Sequence, residues 1–74
     1  MSTATPTQPT TPDIVRAVAV HETAALHRSN LAALAEAGQL SDLDAEGFAV
    51  AEELIAGSRA TLAAAGLLHL IEAA

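Results

Sequence analysis

Three histidines, His21, His27 and His69, are the side chains best able to hold a metal or move a proton near neutral pH. Their spacing argues against both roles. His21 and His27 are six residues apart, so on one helix they point roughly 120° away from each other. A helical metal pair wants ligands at i and i+4, or a Glu-x-x-His as in di-iron bundles. Glu22 has Ala25 and Leu26 at its i+3 and i+4 positions instead. The chain has no cysteine, which removes thiolate sites and disulfides. No metal or other cofactor is expected, and the histidines read as packed or interfacial residues. The functional alternative is a pH-sensitive interface through His27 or His69.

Nucleophilic catalysis needs a nucleophile, a base and an orienting group gathered around a pocket. Ser, His and Asp are all present, but a chain this short has no concavity to gather them, so no enzyme is expected. The most visible charge feature is an acidic run without a base: Glu36, Asp42, Asp44, Glu46, Glu52 and Glu53. Its plain reading is that Asp42, Asp44 and Glu46 favour a helix N-terminus through the dipole, while the others solvate a surface. Its functional reading is an acidic patch for an arginine-bearing partner. The run lacks the oxygen-ligand spacing of a calcium loop.

Composition narrows the classes further. The net charge is -6, there is no Lys, and the only bases are Arg16, Arg28 and Arg59. Three scattered arginines cannot displace enough phosphate counterions for nucleic-acid binding. The same charge opposes an anionic membrane surface. The longest uncharged stretch in the helical part, residues 60–71, falls short of the roughly 20 residues of a membrane span. The start of the chain lacks the basic-then-apolar plan of a signal peptide. The expected compartment is therefore the cytoplasm, or an assembly built in a bacterial cytoplasm. The Ala-rich, Lys-free usage suggests a GC-rich bacterial or phage genome, an association rather than a physical argument.

The elements that must position these side chains are helices. Alanine is about a quarter of the 74 residues, and Phe48 is the only aromatic one. Alanine forms helix readily and buries little area. Residues 1–11, MSTATPTQPTT, are uncharged and Pro/Thr-rich, and read as an extended arm. A first helix is expected over about 12–37, with Thr11 as N-cap, Pro12 at the first position and Gly38 as the stop. Ser29 and Asn30 prefer caps to helix interiors, so a kink or break is expected to be possible there. Residues 38–41 form a turn. Ser41 then caps a second helix over about 42–65, with Asp44 completing a capping box. Gly66 either ends that helix or interrupts it before a short helix over 67–73. The fold class is all-α: an antiparallel two-helix hairpin, residues 12–74, with an N-terminal arm, completing a helical bundle by oligomerisation.

The apolar stripes name an interface. On the second helix one row holds Leu43, Gly47, Val50, Leu54, Gly57, Thr61, Ala64, Leu68 and Ile71, and a parallel row holds Phe48, Ala51, Ile55, Ser58, Leu62, Ala65 and His69. On the first, the corresponding row is Val20, Ala24, His27, Leu31 and Leu34. Val20, Leu31, Leu34, Leu43, Phe48, Val50, Leu54, Ile55, Leu62, Leu68 and Ile71 are the interface candidates. Gly47 and Gly57 cost helix stability, which points to close approach of another helix or to simple tolerance. Two helices share only one mutual seam, so the rest of a broad apolar face must be covered by other chains. The expected function is a non-enzymatic structural or accessory subunit of a larger assembly, such as a phage virion or shell component. The expected partner is protein, itself included. Two alternatives belong to other classes: a helical adaptor or regulator for one cytoplasmic partner, and a coat on a hydrophobic granule, where residues 62–71 would lie on the apolar surface.

Overall fold

The computed structural model describes residues 8–72. Most of the expected arm, residues 1–7, lies outside them. Two helices account for nearly all of the described chain: α1, Thr11–Glu36, and α2, Asp42–Ala64. A single 3-10 turn, Leu68–Leu70, follows. The helices are antiparallel neighbours. The start of α1 shares a groove with the end of α2, and His27 lies beside Gly47 near the connecting turn.

Both helices begin with the same device. The Asp13 N–H donates to Thr10 Oγ1 at 3.3 Å, and the Thr10 N–H donates to Asp13 Oδ2 at 2.9 Å. The Asp44 N–H donates to Ser41 Oγ at 3.0 Å, and the Ser41 N–H donates to Asp44 Oδ2 at 3.2 Å. Each reciprocal pair satisfies two of the backbone donors that a helix start leaves orphaned. The first of these corrects the expected cap. Thr10, not Thr11, is the N-cap, and Pro12 stands one position further in. The reason is spacing: only Thr10 has an acid three residues on.

Both helices also end alike. Gly38 and Gly66 take φ of 70° and 71°, a left-handed conformation that costs a residue with a Cβ roughly 1–2 kcal/mol. The Gln39 N–H then donates to the Leu34 carbonyl and the Gly38 N–H to that of Ala35. The Leu67 and Gly66 N–H groups repeat the pattern on Leu62 and Ala63. These are Schellman ends, which close the last carbonyls of a helix. Gly66 therefore terminates α2, and the short helix expected over 67–73 is one 3-10 turn. Ser29 and Asn30 lie within unbroken α1.

The seam between the helices is built from small residues. Ala17, Ala24 and Leu31 recur every seven positions on α1, and Ala51, Ser58 and Leu62 face them from α2. Alanine against alanine and serine lets two backbones approach closely, but offers little apolar area to remove from water. Among the described residues Leu62 alone is wholly enclosed, at 0 % exposure. Ser58 sits in this seam without penalty, because its hydroxyl donates to the Ile55 carbonyl at 3.0 Å.

Candidate functional site

The hairpin is one layer thick, so its seam opens onto two faces, and these differ. Along one face Arg28 of α1 reaches across to α2. Its guanidinium pairs with Glu52 and stands 5.7 Å from the centre of the Phe48 ring. Ion pair and cation–π contact together carry a long side chain from α1 across to α2. Further along α2, Arg59 lies 3.7 Å from Glu72, which ties the segment after the 3-10 turn back to the helix. Phe48 and Ile55 on this side of α2 are half-buried.

The other face has no such cover. A groove of about 630 Å³ runs between the helices, and its walls include Val20, Thr23 and His27 of α1 and Gly47, Val50 and Leu54 of α2. None of its lining residues carries an Asp, Glu, Lys or Arg side chain. Val50 is 53 % exposed and Leu54 47 %. Leu43, further toward the turn, is exposed as well. The groove continues toward the start of α1, where Asp13, Arg16 and Glu53 enter its walls and Gln8 and Pro9 close its end. Arg16 and Glu53 make no ion pair with each other. The Asp13 carboxyl is held below its ordinary pKa, first by the hydrogen bond from the Thr10 backbone, then by the Thr10 side chain, with Arg16 adding to it.

The interface candidates thus fall into two sets. Leu31 and Leu62 are buried in the hairpin's own seam, with Phe48 and Ile55 beside them. Val20 and Leu34 are half-buried, while Leu43, Val50 and Leu54 stand open to solvent. Leu68 and Ile71 are half-buried after α2. Of the two rows expected on the second helix, the one through Leu43, Val50 and Leu54 is open, and the parallel one through Ala51, Ser58 and Leu62 makes the seam. Ala17, absent from the expected α1 row, is in the seam because it lies seven residues before Ala24. Among the described residues, no helix approaches either glycine closely enough to exclude a Cβ. A Cβ on Gly57 would meet nothing within 4 Å, and one on Gly47 would make ordinary contacts with His27 and Leu31 at 3.5 and 3.7 Å.

The histidines are not gathered: His21 is half-buried, whereas His27 and His69 are exposed at different places. Among the described residues no group of three or more His, Cys, Asp or Glu is placed to hold a metal ion. No helix among them is long and apolar enough to cross a membrane. What the arrangement offers is an uncharged groove with charged groups at one end, suited to receiving another apolar surface. No family model, curated protein or solved structure matches the chain.

Proposed function

We propose that the chain is a non-enzymatic structural or accessory subunit of a larger assembly, of the kind found in a phage virion or shell built in a bacterial cytoplasm. It acts through helix–helix packing, with the N-terminal arm as a second attachment. The observation that carries this reading is the open groove face of a single-layer hairpin. Domains are ordinarily two or more layers around one core, and a lone layer leaves one apolar face wet. Here that face shows Leu43, Val50 and Leu54 to solvent, while the seam behind it is mainly alanine and serine. A core of this kind stabilises a chain of 74 residues weakly, and covering the groove supplies the missing burial.

Multi-angle light scattering on the purified full chain tests the proposal. The expected mass is a dimer or larger at micromolar concentration, and a closed multimer would fit a shell or virion role best. A folded, stable monomer across that range contradicts it.

A further inference from the structure

We draw no further inference here: the strongest candidate, the uncharged groove between α1 and α2 walled by Val20, His27, Val50 and Leu54, carries nothing beyond the proposed self-association, because nothing in the structure shows what covers it or in which register.

Discussion

The two faces of the hairpin are made by the same pair of helices, yet only one is sealed within the chain. On the sealed face Arg28 spans the seam to Glu52 and covers Phe48. On the open face the equivalent positions hold Val20, Thr23 and Val50, whose short side chains cannot bridge two helices. The difference teaches that the chain uses its few charged side chains selectively. A long amphipathic residue closes a seam to water, and short apolar residues leave it open to another chain.

The largest expected effect separates seam from groove. Leu62→Ala should cost roughly 2–5 kcal/mol of stability, since Leu62 is wholly enclosed. Leu54→Ala should cost far less in the isolated hairpin, where that side chain is 47 % exposed. Denaturant melts at low and high protein concentration check both, and the Leu54→Ala deficit should grow as chains associate. Equal costs at high dilution would break the distinction between the two rows. Ser41→Ala should lower stability by about 1 kcal/mol, because it removes the acceptor for the Asp44 N–H and half of a reciprocal cap. Arg28→Ala should cost less still, about 1 kcal/mol or below, because the pair it makes with Glu52 is about half exposed on both sides. That variant should instead expose Phe48, read as increased dye binding, and so convert the sealed face toward the open one.

Acid should loosen one end of the sealed structure by a small amount. The Asp13 pKa is lowered in the folded chain by the Thr10 backbone N–H. A lowered carboxylate stabilises the fold fully above its unfolded pKa of about 4, and that stabilisation is lost as pH falls through the folded value. Amide protection of Asp13 and Ile14, relative to their intrinsic exchange at each pH, should therefore fall selectively below the ordinary carboxylate range.

The hairpin was legible because its punctuation is local. Ser41 with Asp44, and glycines at 38 and 66, act through contacts within a few residues, and the chain positions alone reveal them. The start of α1 carries two competing local signals, and the reciprocal pair of Thr10 with Asp13 prevails over the preference of proline for the first helical position, which moves the cap from Thr11 to Thr10. The choice between the two rows of α2 was not legible. Leu43, Val50 and Leu54 are larger than Ala51 and Ser58, and size suggests burial. Close approach of α1 favours the small residues instead, and that depends on Ala17 and Ala24 meeting them from a distant part of the chain. The sealing of one face by Arg28 and Glu52 is likewise a contact across 24 residues, with no local signal.

The central claim is that the open face is covered by protein in solution, and methyl NMR with a soluble paramagnetic agent addresses it directly. In the single chain Val15 and Leu26, on the side of α1 turned away from α2, are 63 % and 65 % exposed, close to Val50 at 53 % and Leu54 at 47 %. They are therefore internal controls. At concentrations where the chain associates, the Val50 and Leu54 methyls should be shielded from the agent while those of Val15 and Leu26 relax rapidly, and dilution should erase the contrast. Rapid relaxation of all four side chains at every concentration would contradict the account.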